Sequence, residues 1–163
     1  MLWTPGCDFM GQVDNFGSTY NEANLGTQIT AGGTNHTKNS TITTLLSALS
    51  ADCYYLSIGF VNGFLAGASR RYLTDIFTDP AGGTSWGSTP IIANLAANSV
   101  SYTMGGCLWY RFPLFIKGGT SIGARCQAET ASATIRVLIE ARMKPTRPEV
   151  LRVGQMVSTF GAT

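Results

Sequence analysis

The feature that most restricts the fold is segment 132–143, in which apolar and polar side chains alternate. Successive side chains of an extended chain point to opposite faces, so this period of two places the apolar ones together. The apolar positions are Ala133, Ile135, Val137, Ile139, Ala141 and Met143. The polar positions opposite them are Ser132, Thr134, Arg136, Glu140 and Arg142. The segment is therefore predicted to be a β-strand with one buried face and one face in water.

Segments 53–61 and 107–116 show the same alternation and are also predicted to be core strands. The apolar stripe of the first is Tyr54, Leu56, Ile58 and Phe60. The stripe of the second is Leu108, Tyr110, Phe112, Leu114 and Ile116. Trp109 lies between two members of the second stripe, so we expect its side chain on the opposite face, exposed or at an interface.

Weaker strand candidates lie between the core strands, each bounded by residues that favour turns. They cover residues 25–30, 39–48, 70–78, 89–94, 98–104 and 120–127. Together these segments predict nine short strands in a chain of 163 residues, which is about the size of one domain. The predicted fold is all-β, a two-sheet antiparallel β-sandwich of jelly-roll type. An immunoglobulin-like sandwich is the main alternative, but the Cys and Trp spacing of antibody domains is not evident.

The two ends of the chain differ from the middle and are predicted to be extended arms flanking a sandwich domain at 25–143. Residues 1–24, the N-terminal arm, contain large apolar side chains without a strict period. Residues 144–163, the C-terminal arm, begin with a connector that two prolines stiffen and continue with an apolar tail. We expect that tail to dock, either on its own domain or on another subunit.

Charge is scarce in this chain. Charged residues make up 12% of it, about half the usual share of a globular domain. Such a surface repels other copies weakly, which favours a protein that works in an assembly. Residues 1–105 carry three basic and six acidic side chains, whereas residues 106–163 carry eight basic and three acidic ones. The basic residues are scattered, without the runs that phosphate binding requires, so no nucleic-acid partner is predicted.

The residues needed for common catalytic sites are missing. The only histidine is His36, and there is no Gly-x-Ser-x-Gly, phosphate-binding loop or paired-histidine motif. A two-carboxylate mechanism stays formally open, because a glycosidase needs only a pair of acidic side chains. The candidate acids are Asp52, Asp75, Asp79, Glu129 and Glu140. Turn or solvent-face positions explain them more simply, so we predict no enzyme activity, no metal and no cofactor.

The four cysteines are spread along the chain without metal or redox spacing. They are Cys7, Cys53, Cys107 and Cys126. Buried free thiols are the preferred interpretation, with a bridge between Cys107 and Cys126 as the alternative. Residues 1–10 lack the pattern of a signal peptide, and no stretch is long enough to span a membrane. We therefore expect a protein made in the cytoplasm, with no membrane partner.

A resemblance to a known group of proteins lies between residues 112 and 137. Residues 113–116 read PLFI, residues 119–127 read GTSIGARCQ, and residues 133–137 read ATIRV. This succession resembles a pattern of virion structural proteins of tailed bacteriophages, in which such strands close a β-sandwich. The resemblance implies a capsid decoration, or cement, protein or a tail-associated protein, located in the virion and without catalytic residues.

The leading hypothesis is a structural protein that decorates and stabilises a phage capsid. Its partners would be the major capsid protein and copies of itself, as a homotrimer by analogy with cement proteins at local threefold positions. The predicted partner-binding residues are Trp3, Phe9, Trp109, Val153 and Phe160. The alternative is a tail-associated or receptor-binding module that recognises host-surface carbohydrate. The rings that would stack on a sugar are Trp86, Trp109 or Tyr102.

Overall fold

The computed structural model describes residues 13–16, 26–62, 70–99, 106–143 and 157–158. All regular structure in these residues is β-strand, without any helix. The strands are β1 (Val13–Phe16), β2 (Thr27–Thr30), β3 (Thr43–Leu46), β4 (Cys53–Asn62), β5 (Arg70–Asp79), β6 (Ile92–Ser99), β7 (Gly106–Phe112), β8 (Ser121–Ala128), β9 (Thr134–Met143) and β10 (Val157–Ser158).

The strands form two five-stranded sheets that pack as a β-sandwich, which confirms the predicted all-β sandwich. Sheet 1 has the order β1-β9-β4-β7, and β2 pairs with β9 beside β1. Sheet 2 has the order β10-β6-β5-β8-β3. Neighbouring strands are antiparallel, except that β10 runs parallel to β6.

The eight strands from β2 to β9 pair in a nested order, as in one long hairpin that is folded across the two sheets. β2 pairs with β9, β3 with β8, β4 with β7 and β5 with β6. The pairs β4–β9 and β5–β8 then close the two sheets. The chain consequently changes sheet at most of its connections, and both sheets contain strands from both halves of the chain.

The predicted core strands are present, with small differences at their ends. β9 alternates between buried and half-buried residues along its whole length, as its sequence predicts. β4 lies between β9 and β7, so Ser57 and Gly59 on its outer face are buried as well. β7 ends at Phe112, but Leu114 and Ile116 beyond it still reach the core.

The sequence predicts two strands, at 89–94 and 98–104, but β6 runs unbroken across the gap between them, and residues 100–104 lie outside the described residues. A β-bulge explains the difference, because Ala93 and Asn94 together lie opposite the single residue Asp75. Asn94 adopts a positive φ of 54°. The bulge shifts the alternation, so that Ile92 and Leu95, three positions apart, both face the core.

Two tyrosines connect the sheets through hydrogen bonds. The Tyr72 hydroxyl on sheet 2 donates to the Thr134 carbonyl on sheet 1, at 2.7 Å. In the opposite direction, the Tyr110 hydroxyl on β7 donates to the Ala96 carbonyl on β6, at 2.6 Å. The ring of Tyr110 also packs edge-on against the buried Phe60. A buried or half-buried tyrosine needs such a partner, and here the partner holds the sheets together at the β6–β7 side.

Connections 31–42 and 80–91 cover the outer face of sheet 2. Asp79 organises the second one by accepting hydrogen bonds from the N–H groups of Ala81 and Ser85. Trp86 from the same connection lies over Gly123, where an added Cβ would come within 2.8 Å of its ring. The missing side chain of Gly123 therefore makes room for this ring.

Substitution of two adjacent glycines tests the packing of connection 31–42. A Cβ at Gly32 would overlap the carbonyl oxygen of Thr37, whereas a Cβ at Gly33 would meet nothing within 4 Å. We expect Gly32→Ala to lower the free energy of unfolding by about 1–3 kcal/mol, because the backbone must shift. Gly33→Ala, the control, should change it by less than about 0.5 kcal/mol. Urea unfolding measures both, and equal effects would contradict this description of the loop.

Candidate interaction surface

Of the five predicted partner-binding residues, Trp109 is the one that the structure describes. Trp3, Phe9, Val153 and Phe160 lie outside the described residues. Trp109 lies on β7, and 39% of its surface is exposed. Its neighbours Leu108 and Tyr110 pack against the core, so its ring stands on the outer face of sheet 1, as the alternation predicts.

The residues around Trp109 form a shallow surface with an apolar centre. In the strand register Trp109 lies beside Gly59, and Gly59 lies beside Leu138. Because glycine has no side chain, the surface of the sheet is depressed at Gly59, between the indole ring and the half-buried Leu138. Next to Gly59 on the same face is Ser57, with Arg111 beside it in the register. Ser57, Gly59, Trp109, Arg111 and Leu138 are called the Trp109 surface from here on.

The residue types of this surface suit it for binding another protein. The Ser57 hydroxyl does not contribute, because it is buried out of a partner's reach, and it has no hydrogen-bond partner among the described residues. Trp and Arg are the residue types that contribute most to the energy of protein interfaces, and here Arg111 is exposed near Trp109.

The Trp109 surface extends to an edge of sheet 1. Among the described strands β7 pairs only with β4, so its other edge has no strand beside it. An edge strand presents backbone N–H and C=O groups that a strand of another chain can pair with. Trp109 and Arg111 lie on that strand and would be near such a partner.

Phe115 is a second exposed aromatic residue that the strand pattern did not single out. Its surface is 36% exposed, and its ring packs edge-on against Tyr54 at a centroid distance of 5.3 Å. The signal was present in the sequence, because Phe115 lies between Leu114 and Ile116, which both point inward. It lies beyond the C-terminal end of β7, apart from the Trp109 surface.

The acidic residues considered for a two-carboxylate mechanism have local partners. Asp52 accepts a hydrogen bond from the Gly118 N–H, and Asp79 holds connection 80–91. Glu129 pairs with Arg71, and Glu140 pairs with Arg142. In the part of the chain that the structure describes, no three His, Cys, Asp or Glu side chains are grouped as metal ligands.

Asp75 is as buried as Asp79 and lies at the centre of an ionic cluster. One of its oxygens accepts from Lys38 Nζ at 2.6 Å, and the other accepts from Arg125 Nε at 3.2 Å. The backbone N–H of Asn94, at the bulge in β6, donates to the same oxygen as Lys38. The side-chain oxygen of Asn94 also accepts from Lys38, at 2.9 Å. The cluster therefore joins connection 31–42 to the bulge.

The electrostatic balance of this cluster favours the charged carboxylate. Burial raises the pKa of Asp75, but the hydrogen bonds from Lys38 and Asn94 and the charge of Lys38 outweigh it, so the pKa lies below 3.8. For Lys38 the burial dominates and lowers its pKa, although Asp75 opposes this effect. The cluster has the form of a structural ion pair, since every carboxylate oxygen is already bonded.

The structure decides the state of two cysteines. Cys53 and Cys126 are free and buried, so Cys126 does not form the bridge to Cys107 that the sequence left open. Cys126 points into the core from β8, and burial raises its pKa to about 12. Cys7 lies outside the described residues, as does the side chain of Cys107.

Of the three rings predicted to stack on a sugar, Trp86 is half-buried against Gly123 and Tyr102 lies outside the described residues. Trp109 remains exposed on sheet 1.

The described residues contain no helix that is long and apolar enough to cross a membrane. The chain matches no known family model, no curated protein and no solved structure.

Replacement of Asp75 tests the ionic cluster. We expect Asp75→Asn to lower the free energy of unfolding by about 2 kcal/mol at pH 7, less than for a fully buried pair because Lys38 and Arg125 stay partly exposed. The pKa of Asp75 is lower in the folded state, so its stabilisation is present above 3.8 and disappears as the pH falls through the folded value. Denaturant unfolding should show the difference between wild type and variant shrinking below pH 3.8. A difference that is constant with pH would contradict the cluster.

The buried thiols can be tested by labelling. In a Cys7→Ser, Cys107→Ser variant we expect no reaction of Cys53 and Cys126 with a thiol reagent in native buffer, because neither thiol is exposed. In denaturant, the control, both should react. Labelling in native buffer as fast as in denaturant would show that these thiols are accessible.

Proposed function

We propose that this protein is a structural component of a tailed-phage virion that binds copies of itself and the major capsid protein. The observation that carries the proposal is the Trp109 surface on the edge strand β7. An exposed indole beside a glycine and an exposed arginine are features of a protein interface. The proposed role is decoration and stabilisation of the capsid, without catalysis.

The strand order supports a jelly roll as the particular type of sandwich. The four nested pairs of β2 to β9 are those of a hairpin rolled across two sheets, which is how a jelly roll is built. Such a sandwich is a rigid block, because every strand from β2 to β9 is paired and the core is continuous. Rigid blocks with exposed edges suit repeated assembly into a shell.

The described strands of both terminal segments pair with the same chain, so for the C-terminal tail they show docking on its own domain. β1 belongs to the N-terminal arm and pairs with β9, and β10 belongs to the C-terminal arm and pairs with β6. Pairing of this kind uses main-chain hydrogen bonds, which a neighbouring copy can supply as well as the same chain. The arms are proposed to connect subunits by exchanging these pairings with a neighbouring copy, with Trp3, Phe9, Val153 and Phe160 as apolar anchors.

The resemblance at 112–137 is the reason for proposing a virion. Its three parts fall on the segment after β7, on β8 and on the start of β9. These strands occupy both sheets, so the resemblance concerns the framework of the sandwich. The homotrimer, the capsid protein as partner and the location in the particle rest on this resemblance.

A pair of matched aromatic substitutions tests the interface. We expect the full-length wild-type chain to sediment as an oligomer. The oligomer of the Trp109→Lys variant should dissociate into monomers, because a charge replaces the apolar centre of the surface. Phe115→Lys is the control, since Phe115 has nearly the same exposure on another part of the molecule. Analytical ultracentrifugation at several concentrations measures the change. If both variants keep the wild-type oligomer, the Trp109 surface is not the interface.

The same variants test the attachment to a capsid. Purified wild-type protein mixed with phage heads that lack it should coat them in electron micrographs, and Phe115→Lys should do so equally. Trp109→Lys should bind at least about tenfold more weakly, a loss of about 1.4 kcal/mol. Attachment of the wild-type protein to tails alone would contradict capsid decoration.

A further inference from the structure

A cleft at one end of the sandwich is separate from the Trp109 surface. It has a volume of about 650 Å³, within the range of sites for small molecules. It lies where the β2–β3 and β8–β9 connections meet the ends of β5, β6 and β7. Binding sites in sandwiches commonly lie at such ends, because the loops there can vary while the sheets hold them in place.

The inner part of the cleft is apolar and held in place. Tyr72, Leu108 and Tyr110 line it, together with small alanine side chains. Both tyrosine rings are fixed by the hydrogen bonds that connect the two sheets, from Tyr72 to Thr134 and from Tyr110 to Ala96. Tyr72 is only 3% exposed, so the aromatic surface that a ligand would meet is the half-buried Tyr110 ring, which needs little ordering on binding.

The rim of the cleft is polar, and the two charged side chains on it form an ion pair whose charges cancel. Asn98 is exposed and Gln127 is half-buried, and their side-chain amides have no hydrogen-bond partner among the described residues. Arg71 and Glu129 form an ion pair on the rim, with Arg71 Nε 3.1 Å from Glu129 Oε2. The rim offers both donors and acceptors, and the two opposite charges are close enough to cancel.

The remaining wall is a rigid loop tip that presents His36. The backbone of His36 has a positive φ of 60°, and its N–H donates to the Ala128 carbonyl at 2.7 Å. Asn35 fastens the tip to the neighbouring connection by accepting from the Ala131 N–H at 2.9 Å. The hydroxyls of Thr34 and Thr37 bond across the turn. A residue that is not glycine adopts this conformation only where its surroundings enforce it.

We propose that this cleft binds a neutral saccharide. A sugar ring has an apolar C–H face, which would pack on the Tyr110 ring, and an edge of hydroxyls, each both donor and acceptor. The amides of Asn98 and Gln127 and the Arg71–Glu129 pair match those hydroxyls. A phosphate or a carboxylated ligand fits less well, because Glu129 already neutralises the charge of Arg71 and would repel a second anion. This site is independent of the proposed assembly through the Trp109 surface.

The single histidine makes the test direct, because one imidazole signal reports on the cleft. Methyl glycosides of galactose, mannose and N-acetylglucosamine are titrated into the full-length protein and followed by NMR, with galacturonate, inorganic phosphate and a short neutral peptide as separate probes. We expect at least one neutral glycoside to shift the His36 signal in a saturable way. The Asn98→Ala, Gln127→Ala double variant should bind it at least about tenfold more weakly.

Gln28→Ala is the matched control, because Gln28 is an exposed amide on β2 that does not line the cleft. It should leave the affinity unchanged, and thermal unfolding of all variants checks that the fold is retained. The proposal is overturned if no neutral glycoside shifts the signal, or if the double variant binds as tightly as wild type. It is also overturned if only galacturonate, phosphate or the peptide binds.

Discussion

The sandwich depends on β9, whose two edges are both hydrogen-bonded and whose inner face is buried throughout. β4 occupies one edge, and β1 and β2 share the other, so β9 joins the N-terminal strands to β4. Its inner residues also lie in the same core as those of sheet 2. A one-residue slip of β9 would turn every apolar side chain outward, and this cost determines the register of sheet 1.

The two candidate binding regions lie on different parts of this framework. The Trp109 surface is on the outer face of sheet 1, where a central strand with Ser57 and Gly59 leaves room beside a large aromatic ring. The cleft is at the end of the sandwich, where loops and strand ends from both sheets come together. The two regions share strand β7, whose Leu108 and Tyr110 line the cleft while Trp109 between them faces outward.

Much of the fold and part of the candidate surface could be predicted from local patterns. The exposure of Trp109 follows from its position between Leu108 and Tyr110, and the same rule places Phe115 outside. The neighbours of Trp109 could not be predicted, because Gly59 and Leu138 meet it only through the register of three strands. The single strand β6 was missed for a similar reason, since the bulge at Asn94 hides its alternation.

The sequence by itself determined the class of fold, because alternation along β4, β7 and β9 is a local property that each strand carries alone. It also determined the low charge that favours assembly. Only the tertiary structure decided that Asp75 lies between Lys38 and Arg125, that Cys126 is a free core thiol, and that a cleft exists beside His36. These features depend on contacts between residues far apart in the chain, and such contacts are set by the packing of two sheets.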